Sequence, residues 1–210
     1  ASFFIKLLVK AAARNGNILM NIGPMGNGKF STPDRTILKG IADWWKVNGE
    51  ASIRGTKATP LAVQSWGETT RKGNKLYLHV FDWPEDGKLC VGGLLTDVKR
   101  AYLLSNPQKS LKYVRSGKDV WVDVPLNCPD AVNTVVVLEC TSELKADSRR
   151  RLSTTQPVDY LRTFDARLEG NARYGGEEVE AQCVQNMTQK GDAVVWSVRL
   201  DKPMTYEVGI

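Results

Sequence analysis

The sequence predicts an α/β segment followed by an antiparallel β-sandwich, with mostly β structure overall. The first 50 residues combine apolar residues at helical spacing with one nearly unbroken apolar run. From residue 57 onward, apolar residues alternate with polar ones in short runs, as they do in half-buried strands. Gly, Pro and Asn separate these runs, which is typical of the turns between antiparallel strands.

The first predicted element is an amphipathic helix. Phe4, Leu7, Leu8 and Ala11 follow the i, i+3, i+4, i+7 spacing and therefore share one helical face. We expect Gly16 to end this helix, because glycine is the residue most often found just beyond a helix end.

Residues 17–22, with the sequence NILMNI, are predicted to form a strand covered on both faces. Their apolar residues show no alternation, as in the strands of parallel sheets. A parallel strand needs parallel neighbours, and the sequence offers none. We therefore expect residues 1–50 to pack against residues missing from this chain, against the predicted sandwich, or against a second copy of the chain.

A second helix has a clear start. Thr32 is the expected N-cap, Pro33 takes the first helical position and Asp34 lies in the first turn. Gly49 is expected to end it. Four bulky residues give this helix its inner face: Ile37, Ile41, Trp44 and Trp45.

The loop between strand and second helix carries the spacing of a phosphate-binding loop, but not its chemistry. Gly23, Gly28 and Lys29 match G-x-x-x-x-G-K. Phe30 occupies the position of the Ser or Thr that holds magnesium, and Pro24 lacks a backbone donor. The helix also begins after the lysine, so its amino end is not aimed at the same anion. A nucleotide site is therefore disfavoured.

Composition argues against several classes of function. The net charge of +6 is diffuse, and the cluster Arg149, Arg150 and Arg151 indicates a solvated linker rather than a nucleic-acid surface. Four cysteines without a C-x-x-C pair, and one histidine, do not fit a zinc site. No apolar run is long enough to span a membrane. We expect no metal, no cofactor, no nucleic acid and no membrane span.

The segment GNILMNIGPMGNGKFSTPDRTILKGIADWWKVNGEAS closely resembles the final strand, loop and helix of the catalytic barrel in α-L-fucosidases of glycoside hydrolase family 29. The likeness lies in a glycine-led strand that ends Asn-hydrophobic-Gly-Pro, a Pro at the helix start, and a Trp-rich exit followed by Asn-Gly-Glu. It implies that residues 1–53 are the last unit of a (β/α)8-type barrel. Residues 54–141 would be the β-sandwich domain that follows the barrel, and LYLHVFDWP resembles one of its strands.

The rest of the chain is assigned more loosely. Residues 142–163 are polar and unpatterned and are interpreted as a linker. Residues 164–210 resemble the opening half of a galactose-binding-like carbohydrate module, and we interpret them as a partial accessory β-module.

The resemblance implies the carboxyl-terminal portion of a retaining hydrolase that removes terminal L-fucose from glycans. Such enzymes need a carboxylate nucleophile and a carboxylic acid about 5–5.5 Å apart. The family's nucleophile has no matching motif here, so we expect no catalytic residue in this segment and no activity from it alone. The alternative is a carbohydrate-binding or purely structural β-sandwich module. Family likeness implies a periplasmic or extracellular location, or a lysosomal one if the source is an animal.

Candidate substrate contacts lie in the loop after the predicted strand: Asn21, Gly23, Pro24 and Met25. The alternative, that Gly-Pro only fixes the strand exit and Asn21 bonds within the barrel, is equally well supported. Trp121 and Trp196 could stack on glycans, although packing in a core or between domains is favoured for each.

Three further features have structural explanations. Asp82, Glu85 and Asp86 lie beside Pro84 and Gly87, which indicates a hairpin turn rather than acid–base chemistry. His79 alternates with Leu78 and Val80, which places it on the opposite face of its predicted strand, and it is expected to be packed and hydrogen-bonded. The triplet at Asn186 is a glycosylation acceptor only in a eukaryotic secretory protein.

Overall fold

The computed structural model describes residues 1–153, 158–175, 183–200 and 203–209. Parts of the predicted linker and accessory module fall on the remaining positions and lie outside the described residues. The chain divides into two compact units, Ala1–Asp147 and Ser148–Ile210. As predicted, the structure is mostly β with few helices.

The first helix, α1, spans Ser2–Ala13 and buries Ile5 and Val9. Its end differs from the sequence expectation. Asn15 has a positive φ of 56°, and the N–H groups of Asn15 and Gly16 bond back to the carbonyls of Ala12 and Ala11. This double bonding pattern is a Schellman motif. Asn15, rather than Gly16, takes the left-handed conformation that stops the helix.

The second helix, α2, spans Thr32–Trp44, and its N-cap is Ser31 rather than Thr32. The Ser31 hydroxyl oxygen accepts a bond from the Asp34 N–H at 3.2 Å, and the hydroxyl donates to the Asp34 carboxylate at 2.7 Å. The predicted stop at Gly49 is also wrong. The chain continues through a π-helical turn, Trp45–Gly49, into the short helix α3, Glu50–Ser52. Gly49 packs directly on the Trp45 ring, which is possible because glycine has no side chain.

Residues 17–22 do not form the predicted strand. They have no assigned strand structure and pair with no other strand among the described residues. The physical reason is that a strand is held by hydrogen bonds to neighbouring strands. Among the described residues, no strand lies beside this segment to supply them. The apolar pattern of the segment does not by itself produce a strand.

Two antiparallel sheets dominate the first unit. A six-stranded sheet has the order β1-β2-β3-β9-β5-β6, and a three-stranded sheet has the order β4-β8-β7. Asp86 and Gly87 lie in a turn, as predicted, but this turn joins the two sheets rather than the strands of one hairpin. The strands are β1 Lys57–Ala58, β2 Gly67–Lys72, β3 Lys75–Val80, β4 Lys88–Val91, β5 Val98–Leu103, β6 Asn106–Leu111, β7 Tyr113–Ser116, β8 Asp119–Asp123 and β9 Thr134–Cys140.

Side chains from both sheets form one hydrophobic core. Leu76 and Leu78 on β3 and Leu138 on β9 contribute from the larger sheet, and Leu89 and Val122 contribute from the smaller one. Because side chains alternate along a strand, Tyr77 and His79 point to the opposite face of the larger sheet. The alternating pattern read from the sequence therefore corresponds to a sheet with two buried faces.

The helices cover the outer face of the larger sheet. Ile5, Val9 and Trp44 form a second apolar cluster, against which Phe81 and Val132 also pack. Helix α1 is tied to the sheet by the ion pair Arg14–Glu68 at 2.9 Å and by a hydrogen bond from the Ala58 N–H to the Asn15 side chain at 2.7 Å. The first unit thus has helices on one side of its central sheet and a second sheet on the other.

The second unit contains short two-stranded pairings. Strand β10 pairs with β15 in parallel, and β11–β14 and β12–β13 are antiparallel. Arg150, in the stretch interpreted as a linker, is buried and pairs with Asp159 at 3.3 Å. The elements are β10 Arg150–Arg151, a 3-10 turn Thr163–Asp165, β11 Arg167–Glu169, β12 Arg173–Gly175, β13 Cys183–Gln185, β14 Ala193–Val195 and β15 Val198–Arg199.

Candidate functional site

The candidate substrate loop is an exposed turn between α1 and α2. Asn21, Gly23, Pro24 and Met25 are all exposed. The turn is closed by bonds from the Met25 N–H to the Lys29 carbonyl at 2.9 Å and from the Gly28 N–H to the Met25 carbonyl at 2.8 Å. Gly28 has a φ of 76°, a conformation that favours glycine. The glycines therefore shape a tight turn, and the structure brings the four candidates together only as neighbours in sequence.

This loop exposes apolar side chains that a buried strand exit would cover. Leu19 is 98% exposed, and Met25 and Phe30 are also exposed. There is open space around two glycines of this loop, since a Cβ at Gly23 or Gly26 would meet nothing within 4 Å. The surface formed by Leu19, Met25 and Phe30, called the loop apolar surface below, is consistent with a segment built to be covered.

A cleft of about 450 Å³ lies beside the carboxyl half of α2, and the sequence did not predict it. Its lining includes Trp44 and Asn48, from the end of α2 and the π-helical turn, and Asp130 and Val135, which lie before and within β9. π-helical turns inside helices often mark functional sites. The available signal was the exit sequence WWKVNGE, where a buried polar Asn48 follows two tryptophans. None of the four candidate loop residues lines this cleft.

Trp121 lies on the outer face of the three-stranded sheet, between Cys90 and Val114 on the neighbouring strands. Its neighbours in the chain, Val120 and Val122, point into the core, whereas Trp121 is half-buried and Val114 is exposed. An ion pair between Lys88 and Asp123, at 2.7 Å, lies one step along the same face.

Trp196 belongs to the second unit and is half-buried. Its indole N–H donates to the main-chain carbonyl of Arg162 at 2.9 Å. This hydrogen bond therefore holds one edge of the Trp196 ring within its own unit. Trp66 and Trp83 are also tied down, through indole bonds to the carbonyls of Cys90 at 2.6 Å and Pro125 at 2.8 Å.

Three carboxylates in the described residues show a clear shift in pKa, and each shift is downward. A hydrogen bond from Lys39 lowers the pKa of Asp43, and one from Lys75 lowers that of Glu139. The backbone N–H of Asn171 is the main cause for Asp192. A general acid in a glycosidase needs a raised pKa. These three groups are held ionised and have the opposite character.

His79 is fully buried between the larger sheet and α3, as the sequence predicts for a packed histidine. The Thr70 hydroxyl donates to the Ser52 carbonyl at 2.6 Å, so its oxygen accepts from His79 Nε2–H at 3.1 Å. The Nδ1 atom then accepts from the Asn133 side-chain amide at 3.3 Å. Burial lowers the pKa of His79 to about 4. This neutral, enclosed imidazole has no path to a substrate and serves the core.

The described residues offer no candidate for a metal site or a membrane span. In the part of the chain that the structure describes, no three His, Cys, Asp or Glu side chains are grouped so as to hold a metal ion. Within the same residues, no helix has the length and apolar character needed to cross a bilayer. None of the four cysteines forms a disulfide, and burial raises the pKa of Cys140 to about 11.

Residues 1–50 match the family model described as alpha-L-fucosidase. Over these residues the chain is similar to the α-L-fucosidases. This confirms the resemblance that the sequence predicts.

Individual α-L-fucosidases are also similar to this chain. A tissue α-L-fucosidase from Bos taurus is 33% identical over 139 residues, which cover 63% of this chain and 29% of that protein. The solved structure of α-L-fucosidase isoenzyme 1 from Paenibacillus thiaminolyticus has a TM-score of 0.62 and 31% identity, covering 67% of this chain and 34% of its own. A GH29 α-L-fucosidase from Bacteroides thetaiotaomicron, trapped as a covalent intermediate, has a TM-score of 0.62 and 25% identity, covering 67% and 32%. The chain spans less than a third of the length of the curated fucosidases that it matches.

Proposed function

We propose that this chain is the carboxyl-terminal portion of a retaining α-L-fucosidase that removes terminal L-fucose from glycans. The observation that carries the proposal is the family match over residues 1–50, in a segment whose loop apolar surface is uncovered. The Bacteroides thetaiotaomicron relative was trapped as a covalent intermediate with 2-fluoro-fucosyl fluoride, which fits a retaining mechanism for that enzyme.

We assign the domains accordingly. Residues 1–53 are the last unit of the catalytic (β/α)8-type barrel, and residues 54–141 are the β-sandwich that follows it. Residues 142–163 are a linker and residues 164–210 are part of an accessory β-module, galactose-binding-like in character. The shared core of the two antiparallel sheets supports the sandwich assignment. The uncovered loop supports the barrel assignment, because neighbouring parallel strands would supply the partners that residues 17–22 lack.

The role of this segment is to complete the barrel rather than to perform the reaction. The nucleophile and the acid of a retaining glycosidase must flank one bond. The described carboxylates with a clear pKa shift are held ionised by cations or backbone N–H groups, each in a separate place. Asn21, Gly23, Pro24 and Met25 lie after the predicted strand, where barrels place substrate contacts. We expect the isolated chain to be inactive.

A chimera tests this proposal. The region of the Paenibacillus thiaminolyticus fucosidase that aligns with this chain is replaced by residues 1–147, and hydrolysis of an aryl α-L-fucoside is measured. We expect activity from the chimera and none above a buffer blank from the 210-residue chain alone. A chimera that is folded by circular dichroism but inactive contradicts the proposal, and so does turnover by the chain alone.

The same chimera tests the loop contacts. Asn21→Ala should lower kcat/KM by about tenfold if Asn21 donates one hydrogen bond to the sugar or to a residue that positions the sugar. Gly26→Ala is the matched control, since its added methyl group meets nothing within 4 Å. Equal effects from both variants would remove Asn21 from the substrate site.

A carbohydrate-binding role is the second candidate, and the exposed surroundings of Trp121 favour it. A half-buried tryptophan beside an ion pair on the outer face of this sheet has the amphipathic character that sugar stacking uses. Calorimetric titration of the chain with fucosylated glycans, repeated with Trp121→Ala and Trp196→Ala, tests it. Trp121→Phe, which keeps an aromatic face, is the control. Binding that survives both alanine substitutions would exclude these two residues.

We also propose an extracytoplasmic location: periplasmic or extracellular, or lysosomal in an animal source. The support is that relatives are described as tissue and plasma α-L-fucosidases. Fractionation of cells expressing the complete reading frame, followed by detection with an antibody against the second unit, tests it.

A further inference from the structure

The sequence contains one Asn-x-Ser/Thr triplet in which x is not proline, Asn186-Met187-Thr188. This triplet is the acceptor signal for N-linked glycosylation. It is a short signal that also arises by chance. Its structural setting therefore decides whether a glycan is compatible with the fold.

The triplet lies on an exposed turn of the second unit. Strand β13 ends at Gln185 and β14 begins at Ala193, so the triplet opens the connection between them. Asn186 and Thr188 are exposed, and Met187 is 51% exposed. An oligosaccharide attached here would extend into solvent without displacing any core residue of its own unit.

Asp192 holds this turn mainly through backbone N–H groups, and the Asn171 side chain also donates to its carboxylate. Its carboxylate accepts from the N–H groups of Thr188 at 2.9 Å, Gln189 at 2.8 Å and Asn171 at 2.7 Å. No hydrogen bond described for the turn uses the hydroxyl of Thr188 or the amide of Asn186. The fold therefore leaves both side chains of the acceptor signal available to a modifying enzyme.

The conformation of Asn186 accounts for the asparagine but not for the threonine. Asn186 has a φ of 62°, and asparagine is one of the few residues that tolerate this left-handed region. The turn needs only the backbone N–H at position 188, which almost any residue would supply. A hydroxyl residue at position 188, two places after an exposed asparagine, is what N-glycosylation requires.

We propose that Asn186 carries an N-linked oligosaccharide when this chain passes through a eukaryotic secretory pathway. The donor is an oligosaccharide linked through a pyrophosphate to a lipid. Nδ2 of Asn186 forms a bond to the anomeric carbon and loses one proton, and the bond from that carbon to the pyrophosphate oxygen breaks. The lipid pyrophosphate leaves with the electron pair of that bond. This proposal rests on the proposed extracytoplasmic location and not on fucosidase activity.

The test uses the full 210-residue chain, secreted from a eukaryotic cell line behind a cleavable signal peptide. Intact mass is measured before and after treatment with peptide-N-glycosidase. We expect the wild type to lose the mass of one oligosaccharide. Thr188→Ser keeps the signal and should behave like the wild type, whereas Thr188→Ala should be unmodified. Asn186→Gly keeps a residue that accepts positive φ, so it should also be unmodified without loss of the turn.

Two outcomes overturn the proposal: a wild-type chain of unmodified mass, or modification that persists in Thr188→Ala. Where secretion of a variant is poor, translation with added microsomes gives the same readout before folding is complete, as a gel shift removed by the glycosidase. Asn171→Gln is the control for loss of an exposed asparagine outside the signal and should leave the modification unchanged. Because the readout is mass, its result is independent of any hydrolysis measurement.

Discussion

The indole N–H of Trp44 donates a hydrogen bond to the main-chain carbonyl of Asn133, with 3.1 Å between the nitrogen and the oxygen. The same Asn133 uses its side-chain amide to contact Nδ1 of His79 at 3.3 Å. Asn133, which directly precedes β9, therefore joins the end of α2 to the buried face of the central sheet. This junction fixes where α2 sits on the strands of its own unit.

Trp44→Phe removes this link while keeping most of the buried aromatic surface. The carbonyl of Asn133 would be left without its buried donor, so we expect a loss of about 1–2 kcal/mol in the free energy of unfolding. Urea titration followed by far-ultraviolet circular dichroism measures it. Trp45→Phe is the control, because its indole N–H bonds to the exposed carboxylate of Glu50. Equal losses in the two variants would contradict the assignment.

The π-helical turn depends on the absence of a side chain at Gly49. A Cβ at this position would overlap the ring of Trp45 and press on that of Trp44. We expect Gly49→Ala to destabilise the first unit by about 1–3 kcal/mol, the usual cost of overpacking. Thermal unfolding measures the change. Gly26→Ala, with open space around its Cβ, should be close to neutral, and a stable Gly49→Ala protein would show that the turn can relax.

Local patterns in the sequence were sufficient to predict most of the elements. The alternation in LYLHVFDW predicted that Leu78 and His79 lie on opposite faces of a strand, and they do. The spacing of Leu8 and its neighbours predicted α1. These predictions succeeded because each depends on side chains only a few residues apart.

Features that depend on partners or on one hydrogen bond were not predicted. Residues 17–22 have the composition of a buried strand, but strand structure also needs neighbours, which the composition cannot supply. Ser31 and Thr32 are both acceptable N-caps, and only the contact with Asp34 distinguishes them. The π-helical turn arises where Gly49 lets the chain approach Trp45, which is a tertiary contact. The cleft beside α2 was missed for the same reason.

His79 makes the stability of the first unit dependent on pH. Its pKa falls from 6.5 to about 4 on folding, because burial disfavours the charged ring. The unfolded chain therefore binds a proton more readily than the folded one. The contribution is fully present above pH 6.5 and is lost as the pH falls through 4. At about 1.4 kcal/mol per pKa unit, the total is about 3 kcal/mol.

Unfolding in urea at a series of pH values between 7 and 4 measures this dependence. His79→Gln keeps an amide that can bond to Thr70 or Asn133 but cannot titrate in this range. We expect the variant to be less stable at pH 7 and to lose less stability on acidification than the wild type. Parallel curves for the two proteins would show that other groups account for the acid sensitivity. Glu68, on β2 opposite His79, stays paired with Arg14 in both.

The loop apolar surface should make the isolated chain self-associate. Leu19 is 98% exposed, and burying one such side chain contributes about 1.5–3 kcal/mol. Replacing both Leu19 and Phe30 by Ser should therefore weaken association at least about tenfold. Sedimentation at several protein concentrations measures it. Leu126→Ser is the matched control, since Leu126 is 70% exposed in a different loop of the same unit. A chain that stays monomeric at every concentration would mean that this surface does not drive self-association. An equal effect from the Leu126 variant would mean the same. Association specific to Leu19 and Phe30 would mean that the loop binds a second copy of this chain.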